Sequence, residues 1–159
     1  METDSPLTGK SAVVTGASSG IGLHSLIALV KAGAFGIGIG RDAQRCARAE
    51  EQVRAACPDG KVRYLVADLS RQAEIRRLAV EIELLLHAGG FDALDVLVNN
   101  AGTYAGRRTY TEDSVELMLA VNHLAPFLLT HLLLPLLKAA PAGRVVTISS
   151  ASHYRAILN

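Results

Sequence analysis

Apolar runs of strand length alternate with longer segments whose apolar positions recur every three to four residues, and the alternation holds along the whole chain. It predicts an α/β fold, a parallel sheet covered by helices on both faces, because each parallel connection needs a long crossover and a helix supplies it. Strands are expected near 11–15, 34–40, 61–67, 94–99 and 143–149, and helices near 20–32, 42–56, 70–88 and 112–138. Gly33 should stop the first helix, Pro58-Asp59-Gly60 the second and Gly89-Gly90 the third, each where helical periodicity ends. The last helix should be kinked by its prolines. No repeat, low-complexity tract or linker interrupts the pattern, so residues 1–159 read as a single domain.

The second strand carries a pattern of its own, Phe35-Gly36-Ile37-Gly38-Ile39-Gly40. Period two places its three glycines on one face, which then has no side chains to pack. Either a helix crosses that face closely or the strand lies beside a ligand cleft, and the two readings are compatible.

Composition narrows the classes of function. A formal net charge of +1 gives no reason to expect nucleic acid or an anionic membrane as partner, and the doublets Arg76-Arg77 and Arg107-Arg108 read as solvated surface. Cys46 and Cys57 are too few for a disulfide framework, and no Cys/His spacing suggests metal, so an intracellular, reducing, cytoplasmic setting is the default. Met1 to Lys10 is polar and lacks the layout of a signal peptide. The most apolar stretch, Leu124 to Leu137, is interrupted by Pro126, His131 and Pro135 and falls short of the roughly 20 residues that span a bilayer, so it reads as a buried helix.

Chemistry begins at Thr15-Gly16-Ala17-Ser18-Ser19-Gly20-Ile21-Gly22, between the strand Ser11-Ala12-Val13-Val14 and an amphipathic segment that opens at Ile21. Gly16, Gly20 and Gly22 would let the backbone turn tightly and lie against a ligand, while the helix beyond offers unpaired N–H groups and partial positive charge to phosphate. The spacing differs from the commoner Gly-x-Gly-x-x-Gly, but the strand–turn–helix context is that of a dinucleotide site.

Arg41 and Asp42 follow the second strand, where a carboxylate would meet the adenosine ribose of NAD and an arginine would pair with the 2′-phosphate of NADP. Arg41 favours NADP(H) over NAD. Asp42 reads better as the N-cap of the next helix. Asp68-Leu69 follows the third strand, where the carboxylate either accepts from the adenine amino group or caps a helix, with Ser70 competing as cap. Asn99-Asn100-Ala101-Gly102 closes the fourth strand with amides that can tie neighbouring strands together below a ligand crevice, or forms a simple turn. Asn122 stands four residues before Pro126, which has no N–H, so the Asn122 carbonyl loses its helical partner and becomes free to hold a water.

Taken jointly, these residues resemble the short-chain dehydrogenase/reductase family. The Thr-Gly-x-x-x-Gly-x-Gly turn, the strand-end Asp68, the Asn99-Asn100-Ala101-Gly102 run, the helical Asn122 and the strand-end Ser150 occur in family order and spacing. Val121-Asn122-His123-Leu124, Leu132-Leu133-Leu134 and Arg144 to Tyr154 look most like the retinol-dehydrogenase-like branch. The resemblance implies a Rossmann-type doubly wound sheet, a cofactor site formed by Gly16, Ser18, Ser19, Gly20, Ile21, Gly22, Arg41, Asp68, Leu69, Asn99, Asn100, Ala101 and Gly102, and NADP(H)-dependent interconversion of an alcohol and a carbonyl on a lipophilic substrate. In the family an Asn, a Ser, a Tyr and a Lys act together; the Tyr moves the proton, the Lys lowers its pKa from about 10, and the Ser positions the substrate oxygen. Asn122 and Ser150 match the first two, with Ser149 and Ser152 as substitutes for the serine.

The Tyr-x-x-x-Lys motif of the family does not occur here. Tyr154 stands too near Ser150 and is followed at the fourth position by Leu158, and no lysine follows Lys138. The sequence therefore reads as the front half of the family fold, truncated after about the fifth strand, with negligible turnover expected of the chain as written. Two readings follow: an NADP-dependent oxidoreductase whose remaining residues lie downstream, or a short product that binds nucleotide or a partner without catalysis. The fifth strand would have an uncovered edge and the fourth helix an uncovered face, conditions that favour homo-oligomer formation. Tyr104, Arg107 and Tyr110 either line the near wall of a substrate pocket or form surface loop.

Overall fold

The computed structural model describes residues 5–151; Ser152 and Tyr154 lie outside them. Five strands, β1 (Ser11–Thr15), β2 (Phe35–Gly40), β3 (Val62–Val66), β4 (Val96–Asn99) and β5 (Arg144–Thr147), form one sheet in the order β3-β2-β1-β4-β5. All four pairings are parallel. Strand order reverses between β1 and β4, which places a crevice at their carboxyl ends. The expected strands are all present, each trimmed by no more than a few residues.

Period two sorts the sheet into two faces. Val13, Ile37, Ile39 and Leu97 pack against Leu78, Ile82 and Leu86 of α3 (Gln72–Ala88) and against Leu129 and Leu133 of α5 (Ala125–Ala139). Val14, Val62 and Val98 on the other face meet Leu23, Leu26 and Val30 of α1 (Gly20–Lys31) and Ala49 and Val53 of α2 (Ala43–Ala56). The result is a helix–sheet–helix sandwich, a Rossmann-type doubly wound fold.

The glycine face of β2 is used in both of the expected ways. Leu26 and Val30 of α1 occupy the space a Cβ on Gly36 would need, and the ring of Tyr64 lies 2.5 Å from where a Cβ on Gly38 would sit. At the end of the strand the space over Gly40 belongs to Cys46 Sγ and to Ser18, a residue of the loop after β1. Helix, tyrosine and loop thus approach the strand to distances that any side chain would forbid.

Helix ends follow local chemistry, with two departures from expectation. Asp42 caps α2 as its position suggests, accepting from Arg45 N–H at 2.8 Å. Neither Asp68 nor Ser70 caps α3, because the Asp68 carboxylate turns to the Ser70 N–H at 2.9 Å and the helix begins after Arg71. The cap comes from Asp113 instead, 41 residues along the chain, whose carboxylate accepts from Gln72 N–H at 2.7 Å. That role removes Asp113 from the helix expected to begin at 112. Ser114 adopts φ +60°, Thr111 N–H bonds the Val115 carbonyl, and helix starts at α4 (Leu117–Leu119) with Glu116 accepting from Leu119 N–H at 2.8 Å.

Between α4 and α5 the expected kink takes the form of a π-helical turn, Ala120–Leu124, in which Ala125 N–H reaches back five residues to the Ala120 carbonyl. The wider turn accommodates the missing N–H of Pro126 without ending the helix. Leu117–Ala139 is therefore a continuous segment of 23 residues, shorter than the helix expected over 112–138 but longer than the apolar stretch Leu124 to Leu137, and by length and composition alone it could cross a bilayer. One face of its α5 part, Ala125, Leu129, Leu133 and Leu137, is buried in the core. Among the described residues β5 pairs with β4 alone, and Val145 and Val146 remain 46% and 44% exposed, the uncovered strand the sequence implies.

Two measurements check this packing. Leu97 is fully buried at the sheet centre, so Leu97→Ala should cost about 2–5 kcal/mol in urea unfolding, whereas Val80→Ala, at a side chain 56% exposed, should change stability by under about 0.5 kcal/mol. Cys46 and Cys57 are both free and buried, and burial is the main cause that pushes each thiol above its ordinary pKa. Less thiolate and less access both predict slow reaction with Ellman's reagent at mildly alkaline pH in the native state and fast reaction in denaturant; fast native labelling would contradict the packing.

Candidate nucleotide site

A cleft of about 440 Å³ opens at the carboxyl edge of the sheet. Its floor is the loop after β1, represented by Gly16, Ser18 and Ser19; one wall is the end of β2 with Gly40, Arg41 and Arg45; the opposite wall is Asn100, Ala101, Gly102 and Thr103 after β4. Asp68, Leu69 and Ser70 close it from the β3 side, and Leu117 of α4 and Val121 of the π-helical turn close it further along. The structure thus gathers nine of the sequence-selected residues around one space: Gly16, Ser18, Ser19, Arg41, Asp68, Leu69, Asn100, Ala101 and Gly102.

The loop is fastened to β4 by a compact set of hydrogen bonds. Thr15 Oγ1 accepts from the N–H groups of Asn100 and Ala101, both at 3.0 Å. Asn100 Nδ2 donates to the Thr15 carbonyl at 2.9 Å and to the Gly16 carbonyl at 3.3 Å. Gly16 sits at φ +66°, and a Cβ there would lie 2.8 Å from Ala101 Cα. A Cβ on Gly22 would strike Asn100 Nδ2 and the Gly16 carbonyl. These two glycines are needed by the contact between loop, helix and β4, so the glycine motif and the Asn-Asn-Ala-Gly run are halves of one joint.

At the start of α1 the residue in the N-cap position, Ser19, does not cap: its side chain makes no bond to the helix amides. The Ser19 hydroxyl accepts instead from Arg45 Nη2 at 3.0 Å. Among the described residues, the first-turn amides of α1 and their partial positive charge are left without a side-chain acceptor, the condition under which a helix end takes an anion. Ile21 reaches the exterior, 65% exposed, and does not line the cleft.

Arg45 is the functional candidate that the sequence reading misses. A cation in the first turn of a helix opposes the helix dipole. That unfavourable placement, one turn after Arg41, was the available signal. Asp42 holds the turn, and the two guanidinium-bearing residues line the same end of the cleft.

The remaining residues divide. Asn99 is buried, donates to Thr130 Oγ1 at 3.0 Å and leaves its Oδ1 without a hydrogen-bond partner among the described residues, so it serves the joint between β4 and α5 more than the cleft. Asn122 pairs its side-chain amide with the backbone of Thr103, accepting at 2.7 Å and donating at 2.9 Å. That pairing binds the π-helical turn to the cleft wall, a contact the sequence did not suggest. Ser150 lies exposed just beyond β5 and outside the cleft lining. Tyr104 and Tyr110, 88% and 64% exposed, and Arg107 are surface loop in the described residues. Among the described residues no cluster of His, Cys, Asp and Glu could hold a metal ion. Tyr64, beneath the loop, has its phenol pushed well above the ordinary range, chiefly by burial and further by Cys46 and Glu50.

Comparison with known proteins follows the same geometry. The chain is 39% identical over 153 residues to human dehydrogenase/reductase SDR family member 13, covering 96% of this chain and 39% of that protein. It is 35% identical over 147 residues to human retinol dehydrogenase 13, covering 92% and 43%, and 39% identical over 153 residues to mouse polyprenol dehydrogenase, covering 94% and 44%. The chain spans less than half the length of these curated relatives. Among solved structures, the Pseudomonas aeruginosa RhlG/NADP active-site complex superposes with a TM-score of 0.80 at 35% identity, over 100% of this chain and 61% of that one. A metagenomic short-chain oxidoreductase in complex with NADP gives 0.77 at 36% identity, over 92% and 64%. The short chain dehydrogenase family profile matches residues 10–157, and with the glycine loop, the strand-end asparagines and the sheet order in one arrangement, this chain belongs to the short-chain dehydrogenase family.

Proposed function

We propose that these 159 residues form the NADP(H)-binding half of a short-chain oxidoreductase that interconverts an alcohol and a carbonyl on a lipophilic substrate. The observation that carries the reading is the convergence, at one cleft, of an uncapped helix N-terminus with two arginines. The diphosphate belongs at the amides of Ser18 to Gly22, in a loop that Gly16 and Gly22 allow to lie against β4. Arg41 and Arg45 stand where a 2′-phosphate needs charge-assisted donors, and the exposed Arg41 carries no ion pair among the described residues. Asp68 and Leu69 border the space left for adenine, and the 100–102 backbone the space for the nicotinamide ribose. Both solved neighbours above are described as NADP complexes, which supports the choice of cofactor.

When bound, NADP(H) supplies or accepts the hydride. Asn122 holds Thr103, and through it the wall beside the reacting end of the cleft. Ser150, just beyond β5, is the residue assigned to position the substrate oxygen. The relatives named for retinol and polyprenol support a lipophilic substrate. The two free, buried cysteines suit a reducing compartment.

A second reading has its own observation. The 159 residues contain no Tyr-x-x-x-Lys, so proton transfer as the family performs it requires residues outside them. On this reading the chain binds nucleotide, or a partner across β5, without turnover.

The two arginines test the cofactor assignment. Arg41→Ala should weaken NADPH binding by roughly 1.5–3 kcal/mol and leave NADH nearly unchanged, with Arg45→Ala acting in the same direction, by titration calorimetry. Equal losses for NADPH and NADH would overturn the assignment. Gly22→Ala should abolish binding of both nucleotides, since its Cβ collides with Asn100 and the Gly16 carbonyl; a folded Gly22→Ala chain with normal affinity would contradict the placement of the diphosphate.

A further inference from the structure

Tyr64 is used by nothing described so far, yet it reaches from β3 across the glycine face of β2 to the loop that floors the cleft. Its hydroxyl donates to the Ala17 carbonyl at 2.9 Å. The reach depends on Gly38, whose absent Cβ leaves room for the ring. The strand segment is itself held, with Tyr64 N–H on a Glu50 carboxylate oxygen at 3.2 Å. Ala17 is fully buried and bound from its other side as well, its N–H donating to the Ile39 carbonyl at 2.9 Å. Nothing else among the described hydrogen bonds engages the Ala17 carbonyl.

The Ala17 carbonyl and the Ser18 N–H belong to one planar trans peptide, so they point in opposite directions. Fixing the carbonyl toward Tyr64 fixes the Ser18 N–H away from it. Ser18 lines the cleft and Tyr64 does not. A hydrogen bond accepted by the carbonyl also polarises the peptide and makes its N–H a stronger donor.

We propose that Tyr64 is a positioning residue for nucleotide binding: through the Ala17 carbonyl it orients and polarises the Ser18 amide toward the cofactor diphosphate. The proposal rests on the nucleotide reading above and adds the element that aims the loop.

Tyr64→Phe keeps the ring that packs on Gly38 and removes only the donor. In the 159-residue chain it should weaken NADPH binding roughly five-fold, the scale of one net hydrogen bond, and leave binding of adenosine 2′-monophosphate, which lacks the diphosphate, unchanged. In the ligand-free variant the Ser18 amide proton should also move upfield in a nitrogen-15 correlation spectrum. A Tyr64→Phe chain that binds NADPH as the wild type does shows a packing role only and overturns the proposal, as does equal weakening of both ligands or an unmoved Ser18 amide. A wild-type chain that binds neither ligand overturns the nucleotide reading together with this proposal.

Discussion

The hydroxyl and carbonyl of Thr15 and the side chain of Asn100 hold together the two strands between which the sheet reverses direction. In a doubly wound sheet that reversal leaves a gap at the carboxyl ends of β1 and β4, because the connecting segments depart to opposite faces. The gap is a ligand site only if its base is closed. Thr15 Oγ1 closes it by accepting two backbone N–H groups, and Asn100 Nδ2 returns bonds to two carbonyls of the glycine loop. Both groups sit near the core, where unmade hydrogen bonds are costly, so joint and fold stand or fall together.

Small residues follow from that joint. The glycine loop must pass within contact distance of Ala101 and Asn100, which fixes glycine at 16 and 22. The same economy runs through β2, where three missing side chains admit α1, Tyr64 and Cys46. Close approach lowers the loop onto the sheet, raises the α1 amides to the cleft, and leaves Ser19 free to meet Arg45 instead of capping its own helix. A cap on α1 would stabilise this helix by about 1 kcal/mol; its absence is the kind of local concession expected where a ligand completes the structure.

Much of this was legible in the sequence because it is written in short-range pattern. Period two and period 3.6 located every strand and the first three helices, and the Asp42 cap and the glycine stops lie within a few residues of what they terminate. The misses are long-range. Nothing near Gln72 announces that its N–H will be capped by Asp113, and nothing near 112 announces that a helix must wait for Asp113 to leave it. Pro126 predicted a disturbed helix, but the position of a missing donor does not by itself say whether a kink or a π-turn results. Arg45 and Tyr64 gain their meaning from partners 26 and 47 residues away. Family resemblance located nine of the cleft residues; it did not reveal which of the motif residues build the joint and which face the cleft.

The central claim is that the backbone amides from Ser18 to Gly22 take a dinucleotide diphosphate. A nitrogen-15 titration of the 159-residue chain with NADP tests it most directly. Saturable shifts concentrated in those amides, with smaller ones at 100–103 and near Arg41, are the predicted result. Saturation that leaves those amides unmoved, or no saturation by a folded chain, would contradict the account.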